Sequence, residues 1–345
     1  MSEWLYEFGM FLAQTLILLV ALGVVVAIVA RSRSGQGGEK SRLRIEDLSQ
    51  RYRKRQRQLR LSGLTSSARK SLAKTFRKED KRLQAAKGEG QAKHRVWVLD
   101  FQGDLKASAT TRFSQEISAL LGVAESGDEV VVRLESAGGL VHAYGHAAAE
   151  FDRLRTAGIK TTVCVDKVAA SGGYLMACCA EKLMVAPFAV LGSIGVIAQL
   201  PNVHRLLQRH DVDVELHTAG RYKRTLTLFG ENTDEGRDKF REDLEHIHAL
   251  FKQYVGERRP ALDIDSVATG ESWYGSDAVE NGLADVLSTS ESYLLERMQY
   301  ARVLSLHLET RKGVAERMGL ALESGIERGI QRAIEAVDAT RWLKR

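Results

Sequence analysis

From about residue 95 the chain becomes a series of short apolar, β-branched runs separated by amphipathic stretches, and that alternation constrains its fold more than any other feature. Val96-Trp-Val-Leu-Asp-Phe101, Val130-Val-Val-Arg-Leu134 and Thr161-Thr-Val-Cys-Val165 read as strands of a covered sheet. Between them, Thr111–Leu121 and His142–Thr156 carry helical spacing. Strand, helix, strand, helix implies parallel pairing through right-handed crossovers, and hence an α/β core. Further strands are expected at Lys182–Ala186 and Val212–Thr218, with a long polar helix over Thr233–Glu257, stopped by Pro260.

Upstream, Gly9–Ala30 is a run of 22 residues without a charge, with Gln14 and Thr15 as its polar interruptions. As a helix it would span about 33 Å, enough for a hydrocarbon core of about 30 Å. A cleaved secretory signal would open on basic residues, whereas here Glu3 and Glu7 come first and Arg31 follows the run directly. Residues 1–30 are therefore expected to be a permanent membrane anchor. Lys and Arg gather only after the span, which by the positive-inside rule leaves the bulk of the protein in the cytoplasm.

Residues 31–94 hold 20 Lys and Arg against 6 Asp and Glu, while the whole chain is only +6, so its positive charge belongs to this segment. Apolar residues are too sparse there for a core, and the segment reads as a basic linker, helical after the Ser34–Gly38 hinge, that holds the globular domain off the bilayer. A run such as Arg51-Tyr-Arg-Lys-Arg-Gln-Arg57 suits anionic lipid headgroups, at about 1 kcal/mol per charge near the surface. No RNA- or DNA-binding module accompanies it, so nucleic acid is not an expected partner. Residues 95–300 form the α/β domain. Residues 301–345 are expected to be a C-terminal amphipathic helix for packing or oligomerisation, because Val314, Met318, Leu322, Ile326, Ile330, Ile334 and Val337 recur every four or three positions. Cys164, Cys178 and Cys179 lie in apolar surroundings and read as small core residues.

Four segments carry chemistry. Ala169-Ala-Ser171-Gly-Gly173 follows an expected strand and opens an expected helix, and its small residues permit a sharp turn and close approach of a substrate backbone. A plain serine helix cap would look the same. Further on, Thr218-Ala-Gly-Arg-Tyr-Lys223-Arg-Thr225 offers a lysine. A hydroxyl becomes a nucleophile when a neighbouring base takes its proton, and lysine can be that base where burial lowers its pKa. Arg221 and Arg224 cannot, because a guanidinium stays protonated. Glu135-Ser-Ala-Gly138-Gly139, ending a buried strand, can turn N–H groups toward an oxyanion, each such donor being worth about 3 kcal/mol. Pro187-Phe-Ala-Val-Leu-Gly192-Ser193-Ile-Gly195 presents another glycine-bracketed hydroxyl, able to orient a lysine amine. Taken singly, each segment also fits an ordinary turn.

In this order and spacing the four segments resemble the signal peptide peptidase A family of Ser-Lys serine peptidases, over about residues 95–290. The resemblance implies a ClpP/crotonase-like fold, with Ser171 as nucleophile, Lys223 as base and Ser193 orienting the lysine. It also implies an oxyanion hole from Gly138, Gly139 and Gly172. Ala137 stands where the family usually has proline, which loosens that turn but leaves its donors in place. The segment Ala268–Asp285 resembles the family's closing motif, in which Trp273 and Tyr274 would pack. No metal or organic cofactor is implied. The implied partners are a peptide or membrane-protein substrate, such as a signal-peptide remnant, the lipid bilayer, and further copies of the chain in a homo-oligomer whose neighbouring protomers can share the serine and lysine. The implied place is the bacterial inner membrane with a periplasmic catalytic domain, opposite to the charge rule. Three alternatives stay open. His142 and His146, on one helical face, could serve a Ser-His-Asp version; the same fold serves acyl-CoA enzymes of the crotonase type; and it could persist as an inactive membrane scaffold.

Overall fold

The structure, a computed structural model, describes residues 41–86 and 94–310. The chain divides into two compact units, residues 45–307 and residues 1–44 with 308–345. In the second, Arg44 and Glu309 form an ion pair at 2.8 Å. In chain order the elements are β1 (Ser41–Asp47), α1 (Leu48–Ser62), α2 (Ser66–Ala86), β2 (Arg95–Gly103), α3 (Thr110–Leu121), β3 (Glu129–Ser136), α4 (Val141–Thr156), β4 (Lys160–Val165), β5 (Val168–Ala170) and α5 (Gly172–Ala177). There follow β6 (Lys182–Val185), β7 (Val190–Gly192), α6 (His204–Arg209), α7 (Asp234–Arg258), α8 (Ile264–Val267), β8 (Ser272–Tyr274), α9 (Gly275–Glu280), β9 (Val286–Leu287), α10 (Ser290–Tyr300) and β10 (Arg302–Thr310).

The α/β architecture expected from the alternation is present. The main sheet runs in the order β1-β10-β2-β3-β4-β6-β9, and from β10 to β9 its strands are parallel. Both faces are covered, as a parallel sheet requires. Along β2, Trp97, Leu99 and Phe101 join the core under α3 and α4, while Val96 and Val98 point to the opposite face. The same period-two division separates Val130, Val132 and Leu134 from Val131 on β3. On the α3–α4 side, Phe113 stacks edge-on against Phe101 at 5.2 Å between ring centres and lies 6.0 Å from Phe151.

The sheet forks at β3. Glu129–Arg133 pair with β4, but the last residue, Ser136, pairs with Ala169 of β5. A second layer then continues from β5 to β7 in parallel and from β7 to β8 in antiparallel pairing. The C-terminal ends of β3, β5 and β7 therefore converge. Ends of parallel strands at such a switch of partner are where α/β proteins build their sites.

Three expectations change. The linker is helical over α1 and α2 but begins with a strand, and it does more than space. Leu48, at the start of α1, is buried with Val96, Val98, Val131, Tyr293 and Leu294, closing a face of the sheet that would otherwise meet water. The domain does not end at residue 300. Arg302–Ser305 pair in parallel with Arg95–Val98, and Leu304 and Leu306 alternate into the core, so the first part of 301–345 is a strand rather than a helix. Val212–Thr218 is irregular, with Val212, Val214 and Leu216 exposed: its apolar alternation finds no strand to pair with among the described residues.

No helix among the described residues is long and apolar enough to cross a membrane. The Gly9–Ala30 run and the Val314–Val337 pattern lie outside the described residues. All three cysteines are buried and free, as small core residues.

Candidate active site

Ser171 occupies the step between β5 and α5 with φ +51° and ψ −120°, a conformation L side chains rarely adopt. Such a backbone costs about 1–3 kcal/mol and persists only where the surroundings over-determine it. Here they do. The Ser171 N–H donates to the Gly192 carbonyl at 2.8 Å, and the Ser171 carbonyl accepts from the N–H groups of Tyr174 and Leu175 at 2.9 and 3.0 Å. A Cβ on Gly172 would overlap the Tyr144 ring, so α5 can lie against α4 only with glycine there. The Ser171 side chain is half-buried and its hydroxyl makes no hydrogen bond with a described residue.

Ser193 repeats the pattern one strand over. Its φ is +49°, and its N–H donates to the Glu271 carbonyl at 2.6 Å. Glu271 leads into β8, whose Trp273 packs beside Gly192. The closing motif is thus structural, as expected for Trp273, while Tyr274 is largely exposed because successive strand residues face opposite ways.

The glycine turn after β3 closes on Ser171. Gly138 has φ +88°, and a Cβ there would stand 2.8 Å from Ser171 Cβ and 2.7 Å from Gly172 N. The expected oxyanion segment and the Ser171 turn are therefore side by side. Of the three expected donors, Gly138 is not free: its N–H donates to Ser136 Oγ at 3.0 Å. The N–H groups of Gly139 and Gly172 make no hydrogen bond with a described residue. Beside the turn, Asp104 is held below the ordinary carboxylate range by the Ser108 N–H, which donates to it at 2.8 Å, and by the Ser108 hydroxyl.

Lys223 does not join this group within one chain. It lies on the irregular segment between α6 and α7, exposed, with its backbone N–H bonded to the Gly220 carbonyl at 3.1 Å. Its amine makes no hydrogen bond or ion pair among the described residues. Neighbouring cations are engaged elsewhere: Arg221 pairs with Glu235 at 2.8 Å, and both Arg221 and Lys239 lie over the Tyr222 ring. His142 and His146 are exposed on α4, whose buried side is Tyr144, Ala147, Ala148, Phe151 and Leu154, and neither is hydrogen-bonded to Ser171.

Sequence reasoning passed over Ser136 and Tyr144. Ser136 lies within the Glu135–Gly139 segment, where the glycines carry the signal and a serine looks like any turn residue. Tyr144 has the helical position of a core residue, and nothing in its spacing distinguishes a core tyrosine from one under a catalytic turn.

The family model for the peptidase family S49 N-terminal region matches residues 3–151, and the model for peptidase family S49 matches residues 153–304. A Haemophilus influenzae protein named probable protease SohB is 46% identical over 332 residues, 94% of each chain. Its namesake from Buchnera aphidicola subsp. Schlechtendalia chinensis is 53% identical over 202 residues, 59% of this chain and 66% of that one. Among solved structures, a mutant of the 1510-N membrane-bound stomatin-specific protease aligns with TM-score 0.40 at 14% identity, covering 60% of this chain and 85% of that one. By its two family-model matches and its identity to these relatives, the chain belongs to peptidase family S49 as a SohB-type peptidase.

Proposed function

We propose that this chain is a membrane-anchored serine endopeptidase of ClpP/crotonase-like fold that works through a Ser171–Lys223 dyad and an acyl-enzyme. The observation that carries the reading is the backbone of Ser171, held at φ +51° at the fork of the sheet with a glycine turn against it, in a chain of a peptidase family. Lys223, unprotonated, takes the Ser171 hydroxyl proton as Oγ attacks the scissile carbonyl. N–H groups hold the oxyanion, the C–N bond breaks, and the lysine ammonium returns the proton to the leaving amine. Water then attacks the ester by the same route and frees Ser171. Ser193 orients the lysine amine.

An ammonium open to water is a poor base, so Lys223 needs burial before it can act. Assembly with further copies supplies it in this reading. Support comes from the stretch of chain around Lys223, on which Ile197, Leu200, Leu206, Val212, Leu216 and Phe229 are each exposed and available for a partner surface to cover. The Gly9–Ala30 run supports anchoring in the bacterial inner membrane, and the basic linker supports contact with anionic headgroups. Substrates in this reading are signal-peptide remnants or unfolded membrane and envelope polypeptides.

The test is labelling of the purified full chain by a serine-reactive fluorophosphonate. Wild type is expected to label, and Ser171→Ala and Lys223→Ala to lose labelling while remaining folded. Labelling of folded Lys223→Ala at the wild-type rate would remove the lysine from the mechanism, and no labelling of assembled wild type would remove the nucleophile.

A further inference from the structure

The structure assigns Tyr144 as a positioning residue of the oxyanion hole, leaving Gly139 and Gly172 as its two donors; this rests on the serine-peptidase reading above. Tyr144 is fully buried in the first turn of α4. A Cβ on Gly172 would overlap its ring, and a Cβ on Gly103 would overlap its hydroxyl, so the side chain fills the space between the residue after the nucleophile and the end of β2. The hydroxyl is 2.6 Å from Ser136 Oγ and 2.7 Å from the Asp104 carbonyl oxygen. Ser136 Oγ in turn lies 3.0 Å from Gly138 N.

Counting protons fixes the direction of this chain. A carbonyl only accepts, so the single phenolic proton goes to Asp104. Ser136 must then donate to the Tyr144 oxygen and accept from the Gly138 N–H. Burial pushes the Tyr144 phenol up from its ordinary value, so the proton stays in place at neutral pH. The far end of the glycine turn is tied to the same loop, the Leu140 N–H donating to the Leu105 carbonyl at 2.9 Å.

The Gly138 N–H is consequently a strut of the turn and does not face the oxyanion. Tyr144 touches both halves of the hole. Its ring lies under Gly172, and its hydroxyl, through Ser136, holds the turn that carries Gly139. One side chain thereby sets the separation of two donors that belong to different strands. Misplaced donors lose most where charge develops, so the effect falls on the transition state rather than on substrate binding.

The experiment compares full-length Tyr144→Phe and Ser136→Ala with Tyr293→Phe, which removes a buried, hydrogen-bonded hydroxyl on the opposite side of the sheet. Readouts are kcat and KM on a fluorogenic peptide, the affinity of a peptide aldehyde whose serine adduct carries the oxyanion, and Tm. Tyr144→Phe is expected to lower kcat about tenfold or more with KM within about twofold, and to weaken the aldehyde by the same factor as kcat/KM. Ser136→Ala should show the same split, and Tyr293→Phe should lower Tm without changing kcat. Wild-type kcat and aldehyde affinity in folded Tyr144→Phe, or losses that merely track the folded fraction, would overturn the assignment. So would failure of both site variants to fold, which would make the hydroxyl chain purely structural. Absence of fluorophosphonate labelling in wild type is the distinct outcome that overturns the peptidase reading beneath it.

Discussion

The N–H of Ser171 donates to the carbonyl of Gly192 at 2.8 Å, the residue immediately before Ser193. Two serines, each directly after one of two neighbouring parallel strands and both at positive φ, are thus tied through the backbone, and neither hydroxyl bonds to a described residue. Ser193→Ala removes only an oxygen and leaves this tie in place. Fluorophosphonate labelling is expected to slow by about a hundredfold, within the range of general-base effects, with Tm nearly unchanged. An unaltered labelling rate would show that Ser193 is a turn residue and nothing more.

Gly138 leaves no room for a side chain beside Ser171. Alanine there must adopt φ +88° and place a methyl 2.8 Å from Ser171 Cβ. Left-handed backbone alone costs an alanine about 1–2 kcal/mol. Gly138→Ala should lower Tm and reduce kcat/KM far more than the stability loss accounts for, because the displaced atoms belong to Ser171 and the Gly172 N–H, the proposed nucleophile and donor. Thermal unfolding and peptide kinetics on one preparation separate the two effects.

How far the sequence could be read follows from what each signal depends on. Strands β2, β3, β4 and β6 were legible because burial on both faces makes nearly continuous apolar runs. Strands β5, β7 and β8, of three residues each, are too short for any period, although they position Ser171 and Ser193. For β10 the Leu304-Ser-Leu-His-Leu308 alternation was in plain view, but it was absorbed into the helical pattern that follows. Val212–Thr218 failed the other way, since alternation marks one apolar face and cannot supply a pairing partner. Ser171, Ser193 and the glycine turn lie together because their signals were local turns. Lys223 does not join them within one chain, because its segment is irregular and exposed and its motif holds no local signal for where it packs. Tyr144 was invisible because its importance comes from a hydroxyl chain across three elements.

Leu48 separates a covering role of the linker from that of a spacer. It is buried against Val96, Val98 and Val303, so Leu48→Ala leaves a cavity on the α10 face of the sheet. A cost of about 2–4 kcal/mol is expected, read as a fall in the denaturant midpoint of the full chain with an unchanged m-value. A free spacer would tolerate the change.

Asp285 contributes to the loss of stability in acid. Burial alone would raise its pKa, but the Arg259 guanidinium at 2.7 Å and the Leu183 N–H at 2.6 Å hold it below the ordinary carboxylate value. A group depressed by folding contributes stability above its unfolded pKa of about 3.9, and loses it as pH falls through the lower folded value. Asp285→Asn should therefore be less stable than wild type at pH 7, by about 1 kcal/mol, because a side chain one-third open to water is partly screened. The difference should shrink below about pH 4. Tm measured from pH 7 down to pH 3 checks the convergence, and a constant gap would assign the effect to packing.

The proposed role of Lys223 makes activity a function of concentration. Within one chain Lys223 is exposed and its amine makes no hydrogen bond or ion pair with a described residue. If burial by a second copy makes Lys223 the base, as proposed, specific activity should fall on dilution in parallel with the assembled fraction measured by mass photometry. Lys223→Arg keeps the charge but cannot deprotonate, and should be as inactive as Lys223→Ala. Mixing Ser171→Ala with Lys223→Ala distinguishes the two ways of building the dyad. Where serine and lysine come from neighbouring protomers, mixed assemblies pair the intact serine of one variant with the intact lysine of the other, and labelling returns. Mixed assemblies that stay unlabelled would place both groups in one protomer, with the partner serving only to bury the Lys223 segment.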